Sequence, residues 1–150
     1  MKFDFEKFGK EGLKASEDRE SNLEEINNLI HEVGLAVMNL TDGKVKLTWR
    51  HKSYNTFYNL TKMQIRTSDV EIQLISNEER VIFVHLTSDE NVRHDLTVLN
   101  IDTKGFPCEM NVSGNKLISH DIESLADNFG ILLSSPFFGH KVRDLISKGA

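Results

Sequence analysis

Between residues 44 and 118 this chain reads as one strand after another, and no helical period intervenes. Helical periods flank that stretch on both sides, at residues 21 to 40 and 121 to 147. Strands in series without intervening helices predict an antiparallel sheet, with the helices segregated to its ends or to one face. The expected fold class is therefore α+β. One domain should span residues 1–150, with a sheet of about five to seven strands over 44–118. One N-terminal helix (21–40) and two C-terminal helices (121–134 and 138–148) should pack against it.

The first helix has the clearest signals. Ser21 and Glu24 stand in capping-box spacing, where each side chain satisfies the other's backbone N–H. Apolar residues then recur at Leu23, Ile26, Ile30, Val33, Val37 and Leu40, alternating steps of three and four, which paints one helix face. Asp42-Gly43 ends it. Upstream, residues 1–20 read as a charged, loosely held arm. Gly9 and Gly12 break its helical pattern, and Phe3, Phe5 and Phe8 are expected to dock on the body.

Period two takes over at Val45, Leu47 and Trp49. Further strands are expected at Phe57–Arg66, Val70–Ser76, Arg80–Thr87, Asn91–Ile101 and Phe106–Val112. The run Val81-Ile82-Phe83-Val84 is apolar on both faces and belongs inside a sheet. Ser113-Gly114-Asn115 should turn the chain into a short strand at Leu117 and Ile118. Asp121 caps the next helix, and Ser134-Ser135-Pro136 stops it.

Charge and cysteine content narrow the function classes. With 18 basic and 23 acidic residues the formal net charge is −5, which disfavours nonspecific attachment to nucleic acid or anionic membranes. Cys108 is the lone cysteine, so no intramolecular disulfide can form. No apolar run reaches the roughly 18 residues a membrane span needs, and the first residues lack a signal-peptide core. The expected setting is the cytoplasm.

Chemistry-bearing motifs are sparse. None of the six histidines stands in zinc-ligand spacing, and no cofactor or metal is expected. Asp69, Glu71, Asp102 and Lys104 are the carboxylates and lysine that a magnesium nuclease would need, with Asp102-Thr103-Lys104 at a turn. Lys44, Lys46, Arg50, Lys52, Lys62 and Arg66, with Trp49, Tyr54 and Tyr58, form a basic, aromatic stripe suited to an acidic partner or to a solvated sheet face. Two strands carry a histidine followed two residues later by a hydroxyl, at His51-Lys52-Ser53 and His85-Leu86-Thr87. The pair resembles the signature of the 2H phosphoesterases. That resemblance implies that His51 and His85 act as acid and base and that the hydroxyls bind phosphate.

The acidic residues point elsewhere. Glu17, Asp18, Glu20, Glu24 and Glu25 cluster at the start of the first helix, and Asp89 and Glu90 sit in an exposed loop. These seven are the expected contacts for a basic protein partner. The reading that best fits a small, acidic, single-domain chain is a noncatalytic binding protein of inhibitor or immunity type, monomeric or homodimeric. It would occlude the active site of a toxin or defence enzyme. A secretion or assembly chaperone is the second reading. Class I secretion chaperones interrupt their sheet with a middle helix, and residues 44–118 show no period for one. A phosphoesterase built on His51 and His85 is the third.

Overall fold

In a computed structural model, described for residues 3–52 and 77–149, an antiparallel meander carries three helices on one of its faces. The chain runs α1 (Phe5–Leu40), β1 (Val45–His51), β2 (Glu78–Leu86), β3 (Asp89–Ile101), β4 (Cys108–Val112), β5 (Asn115–Ser119), α2 (Ile122–Leu133) and α3 (Pro136–Lys148). The described sheet is five-stranded in the order β1-β2-β3-β4-β5, so every strand pairs with its neighbour in sequence. This is one α+β domain. The strands expected at Phe57–Arg66 and Val70–Ser76 lie outside the described residues.

Cross-strand register separates the two faces. Val45, Leu47 and Trp49 pair with Leu86, Val84 and Ile82, and this side meets the helices. Against it α1 lays Ile26, Ile30, Val33 and Val37, α2 lays Leu125, Phe129 and Leu132, and α3 lays Phe138, Val142 and Leu145. Lys46, Thr48 and Arg50 pair with His85, Phe83 and Val81 on the opposite side. Strand β2 lies between β1 and β3 and is buried on both faces from Val81 to Leu86, as its unbroken apolar run predicts. A bulge between Ile82 and Phe83 lets Leu96 turn into the core.

The turns follow local chemistry. Ser113 and Gly114 both take positive φ (53° and 81°), the backbone that a two-residue hairpin requires. Asp121 and Ser124 form a reciprocal capping box on α2. Helix α3 begins at Pro136 rather than Phe138. Ser135 caps it, and a proline at the first helical position gives up an N–H that would have no partner anyway.

The N-terminal expectation is corrected. Helix α1 starts at Phe5, not at Ser21, and runs unbroken for 36 residues. Asp4 is its N-cap, its Oδ1 accepting the Lys7 N–H at 3.0 Å. Ser21 and Glu24 sit inside the helix, because a capping box is a local signal that does not stop good helix formers upstream from continuing it. The phenylalanines do not dock: Phe3, Phe5 and Phe8 are 68%, 74% and 59% exposed.

Candidate functional site

At about 1.5 Å per residue, a 36-residue helix is roughly 54 Å long, more than the described strands span. Two side chains mark where coverage ends. Arg19 donates from Nη1 to the Thr103 carbonyl at 2.6 Å, and Asn22 donates from Nδ2 to the Lys104 carbonyl at 2.9 Å. Both bonds grip the β3–β4 turn. Gly105 in that turn takes φ +97° and packs beside Asn22, where a Cβ would come within 2.5 Å of the Asn22 Cβ. Beyond the grip, residues 3–18 are exposed on every side.

The expected acidic contacts divide into two groups. Glu17, Asp18, Glu20, Glu24 and Glu25 are all exposed on α1, beside and beyond the grip on the β3–β4 turn. Asp89 and Glu90 are exposed at the β2–β3 turn, where Asp89 Oδ1 accepts the Asn91 N–H. That turn lies at the other end of the sheet. Thr87 Oγ1 donates to the Gly43 carbonyl at 2.6 Å, next to the C-terminus of α1. Strand β3 runs the whole distance between the two ends, 13 residues or about 40 Å. A single flat contact cannot use both groups.

His51 and His85 do not converge. His51 pairs with Arg80 on the helix-facing side, while His85 pairs with Lys46 on the opposite side. The His85 ring is buried and donates from Nδ1 to the Leu86 carbonyl at 2.8 Å. His51 is half exposed, edge-on to Trp49, with Nδ1 3.5 Å from Glu78. Thr87 is spent on the Gly43 carbonyl, and Ser53 lies outside the described residues.

The basic stripe is likewise divided. Arg50 makes a paired contact with Asp95, both bonds 3.0 Å, and Lys52 meets Glu79 at 3.3 Å. Trp49 faces the helices, away from Lys46 and Arg50, and lies beneath the Arg80 guanidinium. Tyr54, Tyr58, Lys62 and Arg66 lie outside the described residues, as do Asp69 and Glu71. Asp102 is a turn residue whose carboxylate accepts the Lys104 N–H. Among the described residues, no three His, Cys, Asp or Glu side chains are placed to hold a metal ion.

Two other features stand out. His94 donates from Nε2 to Asp144 at 2.6 Å, and Lys148 joins the same carboxylate at 3.0 Å, fastening α3 to β3. Those bonds hold the Asp144 carboxyl below its ordinary value. No spacing rule connects residues 94 and 144, so the pair left no trace in the sequence. A groove of about 600 Å³ is lined by Asn77, Glu79, Asn100, Asp102 and Glu109. Its two glutamates are already paired, Glu79 with Lys52 and Glu109 with Lys116.

The most distinctive surface is thus the projecting half of α1. Its signal was present in the sequence. Positions 5, 8, 12, 15, 19, 22 and 26 continue, in steps of three and four, the line that the helix later buries through Ile30, Val33 and Val37. No helix among the described residues is long and apolar enough to cross a membrane. No family model, curated protein or solved structure matches this chain.

Proposed function

We propose that the protein is a noncatalytic binding protein of inhibitor or immunity type. It acts in the cytoplasm and docks on a basic toxin or defence enzyme so as to cover that enzyme's active site. One observation carries this reading. The first half of α1 stands clear of the described sheet and presents exposed phenylalanines on a face bordered by the carboxylates of Glu11 and Asp18. Exposed aromatic side chains supply the apolar anchors of a protein interface, and the carboxylates supply rate and selectivity toward a cationic partner. Of the expected contacts on α1, Asp18 and Glu25 lie on the side that borders the phenylalanine line, while Glu17, Glu20 and Glu24 lie farther around the helix. Asp89 and Glu90, at the far end of the sheet, lie outside this surface.

The test is capture from native lysate by the immobilised full chain, compared with a Phe5→Asp/Phe8→Asp variant and with a Glu11→Lys/Asp18→Lys variant. A stoichiometric basic enzyme, retained by the parent, lost by both variants and inhibited by the parent, is the expected result. Capture that survives both variants would sink the proposed surface.

A further inference from the structure

We propose, resting on the reading above, that the occupant of the projecting half of α1 is a basic amphipathic helix of the partner protein. It lies lengthwise along the stripe formed by Phe5, Phe8, Gly12 and Ala15. Nearer the domain, the same helix face is buried: Ile26, Ile30, Val33 and Val37 pack against the sheet. Past Arg19 and Asn22 the described strands end, and residues 3–18 of the helix are exposed. That stretch is patterned for packing, yet it is exposed and packs against none of the described strands or helices.

The composition of the stripe fits a second helix. Gly9 and Gly12 weaken α1, yet nothing in this domain lies within 4 Å of where their Cβ atoms would be. Packing among the described residues does not require them. The small residues Gly12 and Ala15 let another helix approach closely, with Phe5 and Phe8 closing over one end of the contact.

The borders of the stripe specify the partner's charge. Asp4, Glu11, Asp18 and Glu25 recur every seven residues along one side, the position from which a paired helix is electrostatically selected. Small residues, Gly9 and Ser16, line the other side. Lys7, Lys10 and Lys14 lie farther around the helix, toward its back. A second copy is a poor occupant. Packed antiparallel, it would set the acidic border against itself; packed parallel, it would set that border against Gly9 and Ser16. An anionic membrane would meet the same carboxylates. A helix with an apolar seam bordered by lysine or arginine meets both the stripe and its charge.

The probe is a synthetic 21-residue helical peptide. It carries leucine at the first and fourth positions of each heptad and lysine at the positions bordering that seam. A second peptide carries glutamate at the bordering positions. Binding to the full chain is followed by fluorescence anisotropy, with circular dichroism confirming that each protein variant is folded. The lysine peptide should bind at least about tenfold more tightly than the glutamate peptide, and more weakly as salt rises. Phe5→Asp/Phe8→Asp should abolish binding, and Glu11→Lys/Asp18→Lys should reverse the preference between the peptides.

Equal affinity for the two peptides, or a preference unmoved by Glu11→Lys/Asp18→Lys, would overturn the proposal. So would sedimentation of the chain alone as a dimer that Phe5→Asp/Phe8→Asp dissolves, or selective binding to phosphatidylglycerol vesicles. The lysate experiment separates the two levels. Lysate capture lost in Phe5→Asp/Phe8→Asp while neither peptide binds defeats the helix and keeps the surface. Capture untouched by those substitutions defeats the surface itself.

Discussion

The backbone carbonyl of Leu47 occupies the place a side chain at Gly34 would take: a Cβ built on Gly34 would lie 2.4 Å from that oxygen. Helix α1 and strand β1 approach this closely only because residue 34 is glycine. Alanine there would force the helix off the sheet. Gly34→Ala should therefore cost about 1–3 kcal/mol, overriding the roughly 1 kcal/mol of helix propensity it gains. Urea unfolding checks it. Gly9→Ala supplies the contrast, since open space surrounds that position. Its helical circular dichroism signal should rise without moving the unfolding midpoint, because Gly9 lies in the exposed stretch 3–18, outside the buried core cluster.

Arg80 is only 3% exposed and sits 3.8 Å above the centre of the Trp49 ring. Its Nη1 donates to Asn27 Oδ1 at 2.6 Å and its Nε to Glu78 Oε1 at 3.2 Å, so one side chain links α1, β1 and β2. Arg80→Ala should cost about 3–5 kcal/mol, since it strands the half-buried Glu78 as well as removing the stacked guanidinium. Arg80→Lys should recover little of this, because an ammonium lacks the planar fork that serves two acceptors and a ring together. Denaturant midpoints of the two variants decide it.

Acid should loosen α3. Hydrogen bonds from His94 and then Lys148 lower the Asp144 pKa below its ordinary 3.8. A depressed carboxylate contributes stability that is fully present above its unfolded pKa and is lost as pH falls through the folded value. The stability gap between the parent and Asp144→Asn should then hold steady from neutral pH down to about 5 and close below about 4. Asp121, held down by its bonds with Ser124, titrates in the same window. Thermal melts across pH 2.5–7 for parent and variant give the readout; a gap unchanged at low pH would refute the assignment.

Cys108 should be inert in the native protein. Burial pushes its thiol up to about 12, and Sγ donates to the Gly105 carbonyl at 3.1 Å. Since the thiolate is the nucleophile, a soluble disulfide reagent at pH 8 should modify Cys108 only when the chain unfolds. The labelling rate should therefore rise in step with denaturant unfolding. Prompt native-state labelling would show the buried position to be accessible.

Elements whose cause is local were legible in the sequence. The capping aspartate at Asp121, the turn at Ser113-Gly114, the alternation through Val45, Leu47 and Trp49, and the line Ile26, Ile30, Val33 and Val37 all act over a few residues. Each appears in the structure where its pattern placed it. The start of α1 was misread for the same reason. Ser21-x-x-Glu24 looks like a beginning, but the helix formers from Phe5 onward satisfy the backbone N–H groups that a cap would otherwise have to serve. Candidate sites suffered most, because a site is a matter of which face and which end. His51 and His85 looked like a pair until register put them on opposite sides of the sheet.

By itself, then, the sequence determined the class of fold and the period of the described strands and of the buried helix faces, since hydrophobic spacing and turn chemistry operate within the chain's immediate neighbourhood. Tertiary structure alone decided which surfaces exist. It gathered the three described helices on one face, brought His94 to Asp144 and Gly34 to Leu47, and sent the two acidic groups to opposite ends of β3. It also left the first half of α1 exposed, past the turn between described strands β3 and β4 that Arg19 and Asn22 hold.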